Sequence, residues 1–234
     1  MPRDVGAIVV AAGQGLRFGA PTPKQYQPIG GIPMVLRALR PFASHPEVAH
    51  VVLVLPPEDA AQRPQFLSGL SDFSGVSNLS IVPGGAHRRD SVRAGLAALR
   101  AECEIVLVHD GARPFVDPRV IDEVIRLARL GEGAVAAIPV SDTLKEAAVT
   151  QPDRIERTVG RERLWRAQTP QGFPRAILER AHQDPAGDID ATDDASMVEA
   201  LGVPVRLVRD SIRNLKITTR DDLALAELLV KVSP

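Results

Sequence analysis

Short, mainly apolar runs alternate along the chain with longer amphipathic stretches. Val5–Ala11, His50–Leu55, Leu79–Val82, Ile105–Val108, Ala134–Pro139 and Val205–Val208 read as strands, His50–Leu55 as a buried one, and the scarcity of aromatics suits parallel strands buried on both faces. Between them the period lengthens. Val92, Leu96 and Leu99 share one side of a helix over Arg89–Arg100, and Val120, Val124, Leu127 and Ala128 share one side of a helix over Pro118–Leu130. Further helices are predicted at Pro33–Phe42, with Pro33 near the first turn, after Pro174, at Ala195–Leu201, and from Thr219 to Val232. Strands separated by helices predict an α/β fold, a Rossmann-like and mostly parallel sheet covered by helices on both faces with right-handed crossovers. Residues 1–234 are read as one domain.

One stretch breaks the alternation. Val140 to Arg163 is polar and charged, with Ile155 and Val159 set among Arg154, Glu156, Arg157 and Thr158. It reads as a β-hairpin too polar for the core, turning at Gln151-Pro152-Asp153-Arg154 with proline second in the turn. Two readings stand: an arm over about 140–163 that projects onto a second subunit, or a solvated surface loop.

Composition narrows the function classes. Apolar residues make up 44% of the chain and aromatics 3%, so the core is built from Val, Leu, Ile and Ala. The formal net charge of −1 gives no overall basic field, which speaks against nucleic acid as partner. No apolar run reaches the roughly 20 residues that cross a bilayer, and Met1–Gly6 carries no signal-peptide pattern. Cys103 is the single cysteine, which rules out an intrachain disulfide and suits a reducing compartment. A soluble cytoplasmic protein is expected.

Ligands of parallel sheets bind beyond the C-terminal ends of the strands. Three segments with glycine or charge fall at such ends: Ala11–Tyr26 (A-A-G-Q-G-L-R-F-G-A-P-T-P-K-Q-Y), Gly84–Ser91 (G-G-A-H-R-R-D-S) and His109–Pro114 (H-D-G-A-R-P). Glycine lets backbone N–H groups approach phosphate oxygens. The Walker pattern is absent. The dinucleotide pattern fails, because Phe18 holds its third glycine position and Leu55-Pro56-Pro57 stands where an acidic residue belongs. What remains is a loop with two cations, Arg17 and Lys24, suited to a triphosphate. The plainer alternative is a strand-to-loop turn with two solvated charges.

The loop A-A-G-Q-G-L-R-F-G-x(4)-K-Q-Y resembles that of the sugar-nucleotide-type nucleotidyltransferases. G-G-A-H-R-R-D-S-V-R-A-G-L (84–96), V-L-V-H-D-G-A-R-P (106–114), P-V-S-D-T-L-K (139–145), T-V-G-R-E-R-L-W-R-A-Q-T-P-Q-G-F (158–173), T-D-D-A-S-M-V-E (192–199) and N-L-K-I-T-T-R-D-D-L-A-L-A-E (214–227) narrow the resemblance to the 2-C-methyl-D-erythritol 4-phosphate cytidylyltransferases, CTP-using enzymes of the non-mevalonate isoprenoid pathway. The resemblance covers nearly the whole chain. It implies the nucleotide-diphospho-sugar transferase type of fold with a projecting β-hairpin arm.

It also implies roles. Ala11, Ala12, Gly13 and Gly15 lie along the nucleotide, with Arg17 and Lys24 stabilising the transition state at the α-phosphorus. Gly85 and Ser91 line the cytosine; the plainer reading of Ser91 is an ordinary residue at a helix N-terminus. Asp110 helps to hold Mg²⁺, with Gly111 beside the nucleotide through its backbone. His109 reads as a structural hydrogen-bonding residue. Arg113, Thr143, Arg161, Thr169 and Lys216 bind or position the sugar-alcohol phosphate, Thr143 and Arg161 from the arm of a neighbouring subunit, so that a homodimer is implied. The chain departs from the family pattern at Gly111 (often Ala), Gly160 (usually acidic) and Arg213 (often Asp). The chain is expected to be monofunctional. Ribitol 5-phosphate cytidylyltransferase and a non-catalytic nucleotide-binding regulator are the alternatives.

Overall fold

The computed structural model describes residues 2–13, 18–19, 22–62, 78–183 and 192–232. Among them the main sheet has seven strands: β1 (Val5–Val10), β4 (Val48–Leu55), β5 (Leu79–Pro83), β6 (Ile105–Asp110), β7 (Gly133–Pro139), β10 (Trp165–Pro174) and β11 (Val205–Arg209), in the spatial order β11-β7-β10-β6-β1-β4-β5. A short hairpin, β2 (Pro28–Ile29) with β3 (Ile32–Pro33), and a separate hairpin, β8 (Leu144–Ala148) with β9 (Gln151–Val159), complete the strands.

Period-two burial decides the layers. Val5, Ala7 and Val9 of β1, with Val51, Leu53 and Leu55 of β4, face one side. There they pack on α1 (Met34–Ala43) and α4 (Pro118–Arg129). Ile8, Val52, Val54, Val106 and Val108 face the other, against α3 (Arg88–Ala98), α5 (Arg175–Gln183) and α6 (Asp194–Ala200). The α4 boundary follows from Asp117, whose carboxylate accepts the Arg119 N–H at 2.9 Å, and from Pro118 at the first helical position. A six-residue helix, α2 (Pro57–Gln62), follows β4, and α7 (Arg220–Val232) ends the chain's described part. Beside the sheet, α7 buries Ala226 with Ile217, Ile29, Met34 and Phe18 in a smaller apolar cluster.

The sequence reading does not include α2 or the β2–β3 hairpin, which takes Pro33 into β3, and two further features differ from it. The arm turns at Val149–Thr150, and Gln151–Arg154 already belongs to β9. The pairing slips between Glu146 and Ala148, so Pro152 is accommodated in an irregular edge strand rather than in the turn. The second difference is β10, which sequence periodicity does not predict. It runs antiparallel between β6 and β7 in an otherwise parallel sheet. Its sequence, W-R-A-Q-T-P-Q-G-F-P, contains proline, glycine and two glutamines, all poor strand signals. The register shifts between Ala167 and Gln171, and the polar side chains in this irregular stretch are buried and bonded to other segments.

Candidate active site

The chain passes from β1 to β4 and β5 on one flank, then returns to β6 on the other. That reversal leaves a crevice beyond the C-terminal ends of β1, β5 and β6. Three backbone bonds tie the loops there to neighbouring strands: Ala11 N–H to the Val54 carbonyl, Gly84 N–H to the Leu55 carbonyl and Gly111 N–H to the Val10 carbonyl, each 2.8 Å. The fit is tightest at Gly84, and at position 111, where relatives often carry alanine, an added methyl calls for only a small shift. A Cβ on Gly84 would stand 2.3 Å from the Ala12 Cβ, and one on Gly111 would stand 2.9 Å from the Ala11 Cβ and 3.1 Å from the Val10 oxygen.

The crevice is a cavity of about 480 Å³. Of the residues singled out in the sequence, Ala11, Ala12, Gly13, Lys24, Gly85, Ser91, Asp110, Gly111 and Lys216 line it, and Gly15 and Arg17 lie outside the described residues. Lys24 starts a single helical turn, Lys24–Tyr26, anchored where the Tyr26 hydroxyl donates to Asp59 of α2. The Ser91 hydroxyl accepts the Gly85 N–H at 3.2 Å and donates to the His87 carbonyl at 3.3 Å, so it shapes the loop that forms one wall.

Asp110, the last residue of β6, is the electrostatic centre. Lys216 Nζ lies 2.8 Å from its Oδ2, Arg88 Nε 3.5 Å from its Oδ1 and Arg113 Nε 3.8 Å from its Oδ2. Burial alone raises this carboxyl, but Arg88, Lys216 and Arg113 outweigh it and hold Asp110 well below the usual carboxylate range. It is therefore ionised throughout the neutral range.

Behind Asp110 sits a polar relay. His109 is fully buried. Its Nε2 lies 2.9 Å from the Arg113 carbonyl, which only accepts, so Nε2 carries the proton. Its Nδ1 then accepts from the Thr169 hydroxyl at 3.0 Å, and Thr169 Oγ1 accepts the Asp110 N–H at 3.0 Å. Burial pushes His109 down to about 4, against smaller opposing effects from the Arg113 carbonyl and Asp110. The neutral ring thus fixes the backbone of Asp110.

Lys216 is held by its neighbours in sequence. Asn214 is fully buried and donates to the Thr169 carbonyl at 2.8 Å and to Asp210 at 2.6 Å. Arg113 Nη1 donates to the Asn214 carbonyl at 2.7 Å, and Ile217 N–H to the Ala112 carbonyl at 2.9 Å. Arg113 and Thr169 are thus buried behind Asp110 rather than on the cavity wall. Thr143 and Arg161 stand exposed at the base of the hairpin, away from the cavity, where Arg161 Nη1 donates to the Ser141 carbonyl.

Arg88, on the cavity wall, and the buried Asp194 with which it pairs at 2.6 Å are residues to which sequence reasoning gives no role. Both lie inside motifs, G-G-A-H-R-R-D-S and T-D-D-A-S, but the only signal is that Arg88 follows the glycine loop directly. Spatial proximity across distant segments is not written in local spacing.

For a divalent cation the cavity wall offers one carboxylate, Asp110. Among the described residues Asp110 is the single carboxylate on the cavity wall, and no three His, Cys, Asp or Glu side chains come together as a metal cage. Mg²⁺ is commonly held by one or two carboxylates plus substrate phosphates, and Asp110 suits that arrangement. No helix among the described residues is long and apolar enough to cross a membrane.

Known proteins carry the same architecture. The chain is 41% identical to the 2-C-methyl-D-erythritol 4-phosphate cytidylyltransferase of Syntrophus aciditrophicus, over 99% of this chain and 97% of that one. It is 46% identical to the bifunctional enzyme IspD/IspF of Rhodospirillum rubrum over 97% of its own length, but spans only 57% of that protein. The crystal structure of the Thermus thermophilus 2-C-methyl-D-erythritol 4-phosphate cytidylyltransferase superposes with a TM-score of 0.79 at 35% identity, covering 98% of this chain and all of that one. The family model of 2-C-methyl-D-erythritol 4-phosphate cytidylyltransferase (IspD) matches residues 5–232. With the family model, the sequence identity and the structural superposition in agreement over nearly the whole chain, the chain belongs to the 2-C-methyl-D-erythritol 4-phosphate cytidylyltransferase family.

Proposed function

We propose that the protein transfers CMP from CTP to 2-C-methyl-D-erythritol 4-phosphate, releasing 4-diphosphocytidyl-2-C-methyl-D-erythritol and pyrophosphate. The observation that carries the reading is Asp110 surrounded by Lys216, Arg88 and Arg113 in a glycine-walled crevice of the right family. Such a site is built to neutralise phosphate charge.

The nucleophile is an oxygen of the substrate's phosphate monoester, whose second pKa of about 6 leaves it ionised near neutral pH. That oxygen bonds to the α-phosphorus, the bond to the bridging oxygen of the β-phosphate breaks, and pyrophosphate leaves with the electron pair. No protein nucleophile or strong general base is required. Lys24, with Arg17, meets the charge that develops on the α-phosphate, and Lys216 positions the attacking phosphate. Mg²⁺, when bound beside Asp110, supplies further charge neutralisation on the triphosphate. Ala11, Ala12, Gly13 and Gly15 follow the phosphates, and Gly85, Ser91 and Gly111 bound the nucleoside.

Thr143 and Arg161 serve the active site of a partner subunit, through a homodimer joined by the arm. Support comes from the hairpin's isolation: Val149 is 93% exposed and Ile155 60% exposed in the single chain. Arg113 and Thr169 hold Asp110 and approach the sugar phosphate from behind it. A cytoplasmic setting accords with the free, buried Cys103.

Pyrophosphate release with CTP and Mg²⁺ tests the reading, with methylerythritol 4-phosphate and ribitol 5-phosphate offered in parallel. Release with the first substrate alone is expected. Release with ribitol 5-phosphate alone overturns the substrate, and CTP binding without turnover on either overturns the activity.

A further inference from the structure

Asp194 opens α6 with no exposure to solvent, among Ala195, Met197, Val198, Leu178 and Ala181. Its backbone is fixed from two sides. Asp193 caps the helix by accepting the Ser196 N–H at 2.9 Å, and Gln171 of β10 accepts the Ala195 N–H at 3.0 Å while donating to Asp193 at 2.8 Å. One oxygen of Asp194 lies 3.0 Å from His182 Nε2. A carboxylate only accepts, so the ring nitrogen donates. The other oxygen accepts from Arg88 Nη1 at 2.6 Å.

Arg88 is the first residue of α3 and lines the cavity, its side chain 30% exposed. One edge of its guanidinium is pinned on Asp194 and its Nε faces Asp110 at 3.5 Å. Burial raises the Asp194 carboxyl, but Arg88 and His182 together hold it below its usual range, so it stays charged. A fold that needed only stability gains little from this. Withdrawing a carboxylate from water costs several kcal/mol, and apolar residues of similar volume often do as well. The arrangement does give direction. A guanidinium held along one edge presents its remaining face in one orientation, suited to the oxygens of a phosphate or ribose.

We infer that Arg88 contacts the nucleotide from the cavity wall and that Asp194 is its positioning residue, acting on substrate only through Arg88. The inference rests on the reading of the cavity as the CTP site.

A double-mutant cycle tests it, with CTP affinity measured at equilibrium without the second substrate, and Tm recorded for each variant. Asp194→Asn keeps the shape and removes the charge, and Arg88→Gln removes the fork. Each single change is expected to weaken CTP by roughly tenfold, the scale of one charge-assisted hydrogen bond. The double variant, whose two amides can bond each other, is expected to bind CTP no more weakly than Arg88→Gln alone. Losses that multiply overturn the positioning role, as does Asp194→Asn binding CTP like the parent with only Tm lowered. If Asp194→Asn does not fold, Arg88→Lys decides. It keeps the buried charge partner but cannot span both carboxylates, so weaker CTP binding at unchanged Tm supports the inference and unchanged binding overturns it. Absence of CTP binding by the parent protein removes the reading of the cavity itself, whereas parental binding with an additive cycle removes only the inference about Asp194.

Discussion

Lys216 Nζ stands 2.8 Å from Asp110 Oδ2, joining the loop before α7 to the end of β6. The ammonium faces both this carboxylate and the cavity that Lys216 lines. Lys216→Met is expected to lower kcat about a hundredfold, as for loss of a single preorganised charge donor. Its side chain is 43% exposed, so Tm should stay within about 2 °C of the parent. A kcat within threefold of the parent would remove Lys216 from the mechanism.

The arm offers a test of substrate partition. Arg161→Ala is expected to raise KM for the sugar-alcohol phosphate about tenfold or more, with KM for CTP within about twofold. Steady-state kinetics with each substrate varied in turn will show this. A larger shift for CTP would place Arg161 at the nucleotide instead.

His109 makes stability depend on pH. Its folded-state value lies at about 4, below the ordinary 6.5. The unfolded chain therefore takes up a proton that the folded protein refuses. The resulting stability is whole above pH 6.5 and drains away as pH falls toward 4. Between pH 7.5 and 5 this group alone should cost about 2 kcal/mol. His109→Gln is expected to be less stable at pH 7.5 but to lose about 2 kcal/mol less over that interval, by urea denaturation at both pH values. Parallel pH dependences for parent and variant would contradict the assignment.

Gly84→Ala tests the closeness of the loops. The added methyl would lie 2.3 Å from the Ala12 Cβ and 2.8 Å from the Ser91 hydroxyl, so the wall must move. A stability loss of about 1–3 kcal/mol is expected, together with a higher KM for CTP. Unchanged KM would mean that Ala12 and Ser91 do not shape the nucleotide site.

The central parallel strands β1, β4 and β6 and most helices are legible because both-face burial writes nearly uniform apolar runs and helix faces write a 3.6 period, whereas the outer strands β5 and β11 are shorter and less buried. The loop residues can be assigned because glycines cluster at strand ends where ligands bind, and at Gly84 the close approach of Ala12 leaves no room for a side chain. What cannot be read depends on contacts between distant segments. Strand β10 is specified by what Gln168, Thr169 and Gln171 bond, not by alternation, and its proline and glycine argue against a strand. The roles of Asp194 and Asn214 arise in the same way, since a buried polar residue looks in sequence like a surface one. The arm's turn is misplaced by sequence because Pro152 is as acceptable in an edge strand as in a turn.

Strand β10 also sets an order of assembly. It fills the gap between β6 and β7, and both of those leave the ribosome before it. Until residues 165–174 emerge, each neighbour has an open edge, a state prone to wrong pairing. The Thr169 hydroxyl that receives the Asp110 N–H arrives with the same strand. The pocket around Asp110 is thus among the last parts of the nascent chain to take shape, and in a chain interrupted before this strand the Asp110 N–H lacks its Thr169 partner.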